Sequence, residues 1–218
     1  MQDRNTAGGH MTPIYHITHI SNLTSILKAD GLWCDSRRRE QGFPIVGIAY
    51  QNIKDRRAKR AVSVAARGTL ADYVPFYFAP RSPMLYAIHT GAVEGYKGGQ
   101  AAVLHLVSTV KTASGTGRPW CFTDGHADMA ITDFCDDLDK LAKFIDFHIM
   151  QDRYWTDTPD QPDRRRRRQA EFLVHECFPW KFVTEIGVHD PDIAAQVAKI
   201  LSPEKHQPRI SVRPEWYY

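Results

Sequence analysis

Several common enzyme signatures are missing from this chain, and each absence removes a class of protein. The 218 residues hold only four cysteines, Cys34, Cys121, Cys135 and Cys177, widely spaced and with no C-x-x-C pair. That excludes a zinc ribbon and argues against a secreted disulfide framework. No apolar run is long enough to cross a bilayer, so no membrane partner is expected and the cytoplasm is the expected compartment. No G-x-G-x-x-G and no G-x-x-x-x-G-K-[ST] occurs, which disfavours a Rossmann or P-loop fold. Without a G-x-S-x-G elbow or an H-E-x-x-H helix, a serine hydrolase and a zincin both lack their machinery, and no metal site is expected. A large net charge is lacking too, since 28 basic residues against 25 acidic ones leave only +3.

That small net charge conceals an uneven distribution. Basic residues gather at 37–39, 54–60 and 164–168, while acids collect at 133–139. Clustered positive charge suits a polyanion better than overall charge does. The apolar and charged fractions, 43% and 24%, are ordinary for a soluble protein, and the length fits one domain with a substantial core. Residues 1–10 lack the apolar segment of a signal peptide, and Gly8-Gly9-His10 before Met11 reads as an expression leader or tag. A single domain is expected over 11–218, acting as a monomer.

Alternation and β-rich composition predict a first strand over 13–19, with Ile14, Tyr15, Ile17 and Thr18. A helix follows, with Ser21 as its cap, Leu23, Ile26 and Leu27 on one face, and Gly31 as its stop. His16 and His19 are three apart on the strand and face opposite sides, so they do not form a metal pair. Residues 33–47 read as a long loop, and long loops in compact domains are often functional. The basic stretch 52–60 suits a short helix on which Arg57 and Arg60 share a face. Residues 73–80 are aromatic enough for a strand, and Pro75 puts that strand at an edge or at its own start.

Ser82 and Pro83 open a helix. Residues 101–107 and 119–123 read as strands, the second followed by a polar turn at Asp124, Gly125 and His126. Leu138, Leu141, Ile145 and Ile149 recur at helical spacing and predict one amphipathic helix over 137–150. A second long loop is expected over 153–168. A strand at 182–189, a helix opened by Asp190 and Pro191, and a strand at 209–212 complete the chain. Strands and helices do not alternate regularly, so the fold class is α+β with mainly antiparallel sheet.

At one place a solvated run meets a buried one. Arg164, Arg165, Arg166, Arg167 and Arg168 stand in a row, and Phe172, Leu173 and Val174 follow, with Glu171 at the joint. Like charges in sequence repel and want water, so the arginines are expected on a loop or exposed turn. The apolar run suits a core strand. A carboxylate at such a joint has its orientation and proton affinity set by its neighbours, although a plain ion pair with one of the arginines explains it as well. Arginines on phosphates and bases stacked on Tyr154 or Trp155 would suit a single-stranded nucleic acid. From residues alone, a non-enzymatic single-strand-binding module is a sufficient reading.

Three stretches carry more information. They are the block G-T-L-A-D-Y-V-P-F-Y-F-A-P-R-S-P-M-L over 68–85, F-T-D-G-H-A over 122–127, and R-Q-A-E over 168–171. Together they resemble the DarT toxins of the ADP-ribosyltransferase superfamily, and the likeness runs from the first strand to the aromatic C-terminus. It implies an ADP-ribosyltransferase-like fold of split, mainly antiparallel sheets with flanking helices. It implies transfer of ADP-ribose from NAD⁺ to thymine in single-stranded DNA, and a cognate DarG-type macrodomain antitoxin. Glu171 would then act on the nicotinamide ribose, and Arg57, with Arg60 as the alternative, on the acceptor base. His16, Thr18, His19 and Asn22 would face NAD⁺, with Tyr73, Phe76 and Tyr77 walling the nicotinamide. Met84, His126, Tyr154, Trp155 and the five arginines would contact DNA. A transferase of the same fold acting on RNA or protein is the alternative.

Overall fold

A computed structural model describes residues 11–42, 46–48 and 50–218. The leader expectation for 1–10 and part of the 33–47 stretch lie outside the described residues. The frame is a sheet of eight strands among the described residues, in which β10 (Arg209–Val212), β9 (Glu185–Val188), β4 (Val103–Thr109), β1 (Pro13–His19), β3 (Tyr73–Tyr77), β7 (Ala170–His175), β5 (Trp120–His126) and β6 (Phe134–Cys135) lie side by side in that order. At its centre β1 and β4 pair antiparallel, from Pro13 opposite Thr109 to His19 opposite Val103. A short 3₁₀ turn after β1 leads to α1 (Leu23–Lys28), and β2 (Gly31–Trp33) follows. Gly31 is not the stop of that helix. It opens β2, where a Cβ would lie 2.5 Å from the Phe178 carbonyl oxygen. The expected loop beyond Trp33 contains α2 (Asp35–Gln41), and the basic stretch forms α3 (Gln51–Arg57).

The largest departure from expectation concerns β3 (Tyr73–Tyr77), which is not an edge strand. It lies inside the sheet, between β1 and β7 (Ala170–His175). Proline is tolerated there because β1 and β3 touch at a single antiparallel pair, Tyr15 with Tyr77, and then part. Past that point the missing N–H of Pro75 is not needed by β1, while its carbonyl meets the His16 ring Nδ1 at 2.8 Å. Against β7 the pairing is continuous, from Tyr73 opposite His175 to Tyr77 opposite Glu171. The sheet therefore opens between β1 and β3, as the split-sheet expectation requires.

Helix α4 (Pro83–His89) starts as expected, with the Ser82 side chain accepting from the Leu85 N–H. After α5 (Val110–Ser114) comes β5 (Trp120–His126), which pairs with β6 (Phe134–Cys135) and with β7. The polar turn expected at 124–126 is instead an irregularity within β5, between Phe122 and His126. The single helix expected over 137–150 is broken into a 3₁₀ turn, α6 (Leu141–Phe144) and α7 (Phe147–Gln151). Ile145 turns extended, and Asp146 restarts the helix by accepting from the His148 and Ile149 N–H groups. Both pieces still bury their apolar face, which is what the spacing encoded.

The arginine run is not a loop. Arg164–Arg167 form a single turn, α8, just before β7. Beyond β7, β8 (Cys177–Pro179) pairs with β2 in a separate two-stranded sheet. β9 (Glu185–Val188), α9 (Pro191–Leu201) and β10 (Arg209–Val212) close the chain, the two strands pairing parallel through the helical crossover. No described helix is long and apolar enough to cross a membrane.

Candidate active site

Glu171 is the second residue of β7 and is 2% exposed, between Ala170 and the buried Phe172. A carboxylate so deep needs partners, and the irregularity in β5 supplies them. The Thr123 hydroxyl accepts the Glu171 backbone N–H at 3.0 Å and donates to the Gly125 carbonyl at 2.7 Å. This turns the chain so that the Ala127 N–H donates to Glu171 Oε1 at 3.2 Å. The carboxylate's second partner is Arg57, at the end of α3. Its Nη1 donates to both carboxylate oxygens, at 3.1 and 2.9 Å. Burial works against the Arg57 charge, but Glu171 outweighs it and holds the guanidinium above its usual value. Among the described residues, Arg57 Nη2 is buried with no hydrogen-bond partner, a donor left free for something else to satisfy.

This pair faces a cavity of about 470 Å³ that runs from α1 and β2 to α4 and the 153–168 segment. Of the residues expected to face NAD⁺, His16, Thr18, Asn22, Tyr73 and Tyr77 line it. Asn22 is buried, donating to the Thr18 hydroxyl at 3.1 Å and to the Val46 carbonyl at 3.0 Å, and accepting the Val46 N–H at 2.7 Å. Burial keeps the His16 imidazole neutral, against the opposing bond to Pro75. Tyr77 stands opposite Glu171 across the β3–β7 ladder, and burial together with that carboxylate pushes its phenol up. Met84, His126, Trp155 and Arg165 also line the cavity. Burial lowers His126 below the ordinary imidazole value although Glu171 pulls the other way, so its ring is unprotonated at neutral pH and can accept a proton.

Other expected residues lie elsewhere. Phe76 points into the core below the sheet, edge-on to Phe178 at 4.8 Å, because strand alternation sends it opposite to Tyr77. His19 does not line the cavity. Its ring accepts the Ser21 N–H and packs on Tyr96. Arg60 is also outside, donating to the carbonyls of Met129, Ala130 and Thr132 and lying over Phe134. Tyr154 is 77% exposed and away from the cavity lining.

Most of the arginine run is engaged with the protein itself. Arg164 pairs with Asp152, Arg166 with Asp163 and Asp124, and Arg167 with Asp146. Arg168 is buried and donates to the carbonyls of Arg81 and Ile149. Only Arg165, exposed and with no carboxylate in ion-pair range among the described residues, is open to a ligand. Gly125 allows this packing, since a Cβ there would come within 2.4 Å of Arg166 Nη1.

Thr123 and the Ala127 N–H, which seat Glu171, were not singled out from sequence. Their signal was the F-T-D-G-H-A stretch, in which His126 drew the attention.

A sheet that opens between β1 and β3, with a carboxylate on the next strand, β7, lining the same cavity as the parted segments, has the architecture of the ADP-ribosyltransferase class. Residues 15–218 match the family described as "DarT: ssDNA thymidine ADP-ribosyltransferase, DarT". The chain belongs to the DarT family. A DNA ADP-ribosyl transferase of Thermus sp. (strain 2.9) is 44% identical over 209 residues, covering 95% of this chain and 96% of that protein. A solved structure of Thermus sp. 2.9 DarT in complex with ADP-ribosylated ssDNA superposes with a TM-score of 0.88, covering 95% of this chain and 97% of that one at 44% identity. The same protein in complex with NAD⁺ gives 0.85 at 42% identity, covering 95% and 98%. A fusion of DNA ADP-ribosyl transferase and DNA ADP-ribosyl glycohydrolase from Thermosipho africanus is 26% identical over 191 residues, 87% of this chain and 45% of the fusion.

Proposed function

We propose that this enzyme transfers ADP-ribose from NAD⁺ to a thymine base in single-stranded DNA and releases nicotinamide. The observation that carries the reading is the buried Glu171–Arg57 pair at 2.9 Å on the wall of the cavity. The reaction breaks the bond from ribose to nicotinamide and forms one from the same carbon to a thymine ring nitrogen, which gives up its proton. Positive charge develops on the ribose and negative charge on the thymine oxygens. A carboxylate and a guanidinium in contact can answer both charges at one point. Groups held in place before the charges appear need no reorganisation when they do, and such electrostatic terms are often the largest in catalysis. The close pairing also means that donor and acceptor must meet at one spot, as proximity requires.

In this reading Glu171 stabilises the ribose and Arg57 the acceptor base, the free Nη2 being a donor that the substrate would occupy. NAD⁺ suits the cavity in size and chemistry: about 470 Å³ is within the range of small-molecule sites. His16, Thr18, Asn22, Tyr73 and Tyr77 would form its NAD⁺ side. Met84, His126, Trp155 and Arg165 would form the DNA side, with neutral His126 available for the ring proton. A fused glycohydrolase in a relative supports a partner that removes the mark, a macrodomain antitoxin of DarG type. The enzyme would act as a monomer in the cytoplasm, where its DNA substrate is found.

The test is a mass measurement on thymine-containing oligonucleotides incubated with NAD⁺. One added ADP-ribosyl unit is expected on thymine. No adduct across oligonucleotides of varied sequence would overturn the reading.

A further inference from the structure

Trp155 lines the cavity, yet it sits in a stretch with almost no regular structure. Between α7 and α8 the described backbone forms only the isolated bridge of Thr158 with Gln161. Its neighbour Tyr154 is exposed while Trp155 is 7% exposed, so side-chain contacts and not a helix or strand must set the indole. An indole has one donor and no acceptor. Here Trp155 Nε1 donates to the Tyr218 hydroxyl at 2.9 Å, and that hydroxyl lies 3.4 Å from the Ser82 carbonyl, to which it can donate. Tyr86 completes a three-ring cluster, edge-on to Trp155 at 5.9 Å and to Tyr218 at 5.1 Å.

Tyr218 is itself held firmly. Its N–H donates to Gln100 Oε1 at 3.1 Å, its carbonyl accepts from Gln100 Nε2, and the Arg81 guanidinium lies over its ring at 4.8 Å. Arg81 also donates to the Tyr217 carbonyl, and its own carbonyl accepts from Arg168 at 3.2 and 3.3 Å. Arg168 stands three residues before Glu171. The chain of contacts therefore runs from the foot of the strand carrying the carboxylate, through Arg81 and Tyr218, to the indole on the cavity wall.

We propose that Tyr218 is a positioning residue for the DNA half of the reaction: its hydroxyl fixes the plane of Trp155, and so the face presented to the acceptor strand. This rests on the DNA-transferase reading above. Tyr218→Phe keeps the ring, its stacking under Arg81 and both bonds to Gln100, and removes only the hydroxyl. Losing a neutral hydrogen bond of this kind corresponds to roughly a 3- to 10-fold effect. The KM for a thymine oligonucleotide should rise by about that factor, with kcat and the KM for NAD⁺ unchanged. Trp155→Phe removes the donor from the other side, and Tyr218→Phe added to it should have no further effect on the oligonucleotide KM.

An unchanged oligonucleotide KM in Tyr218→Phe, effects that multiply in the double variant, or equal changes in both substrates' KM would each overturn the proposal. In all three the wild-type enzyme still modifies DNA, so the functional reading stands. A wild-type enzyme that modifies no oligonucleotide overturns that reading and this inference together.

Discussion

Removing the charge of Glu171 should do two things at once. Glu171→Gln keeps the shape and one acceptor oxygen, but it leaves the Arg57 guanidinium, 12% exposed, without its counter-charge. Transfer should fall by about 10²–10³-fold, the usual cost of losing one preorganised electrostatic partner, in the oligonucleotide mass assay. Stability should fall as well, because an unpaired buried charge is costly, and the loss should appear as a lower melting temperature with a native circular dichroism spectrum. Within the arginine run the residues should separate by role. Arg165→Ala should weaken DNA binding and reduce the salt slope of log K by about 0.7, the value for one single-strand phosphate contact, with little change in stability. Arg168→Met should do the reverse. It leaves the Arg81 carbonyl without its donors and the Ile149 carbonyl with only the Asp152 N–H, at a cost of about 1–3 kcal/mol, and the salt slope should stay where it was.

The separation within that run shows what a sequence can carry at the level of elements. Five arginines in a row give charge but not partners, and the partners are spread over Asp124, Asp146, Asp152 and Asp163. Asp163 is local, three residues before Arg166, but the other three lie 12 to 42 residues away in the chain, so no local pattern could assign them. Elements set by local chemistry were legible: β1 by alternation, α4 by Ser82 and Pro83, α9 by Asp190 and Pro191. Elements set by distant packing were not. Pro75 marked an edge or a strand start by its missing N–H, yet it is the third residue of an interior strand, tolerated because β1 parts from it there. Glu171 was legible from its place where the arginine run meets the apolar strand, and its role and that of Arg57 through the resemblance, but their contact joins residues 114 apart. Gly31 was read as a helix stop, and its actual role makes a test. A Cβ at 31 would meet the Phe178 oxygen at 2.5 Å and the Pro179 Cα at 3.0 Å, both backbone atoms that cannot rotate away. Gly31→Ala should therefore cost about 1–3 kcal/mol, as overpacking usually does, and because Gly31 also lines the cavity it should weaken NAD⁺ binding measured by calorimetry.

For the molecule as a whole, stability should depend on pH through a histidine remote from the chemistry. His105 lies on β4 and is fully buried, with Nδ1 3.2 Å from the Tyr217 hydroxyl and Nε2 3.1 Å from the Pro80 carbonyl. The rings of Tyr15, Trp216 and Tyr217 surround it. Burial lowers its pKa to about 4, only partly opposed by the Pro80 carbonyl. The unfolded chain has His105 near 6.5, so between pH 6.5 and about 4 the unfolded state binds more protons than the folded one. Stability then rises with pH across that window, is fully present above 6.5, and is lost as the pH falls toward 4. The displacement from 6.5 to about 4 corresponds to about 3 kcal/mol, or about 6–12 °C in melting temperature for a domain of this size. His16 and His126 are lowered by burial too and act in the same direction, so the His105 share needs a variant to isolate it. His105→Gln offers polar groups to both neighbours and does not titrate. Melting curves collected from pH 7 to pH 4.5 should fall less steeply for that variant than for the wild type. Parallel curves would show that His105 titrates alike in both states and that the acid sensitivity of the fold comes from elsewhere.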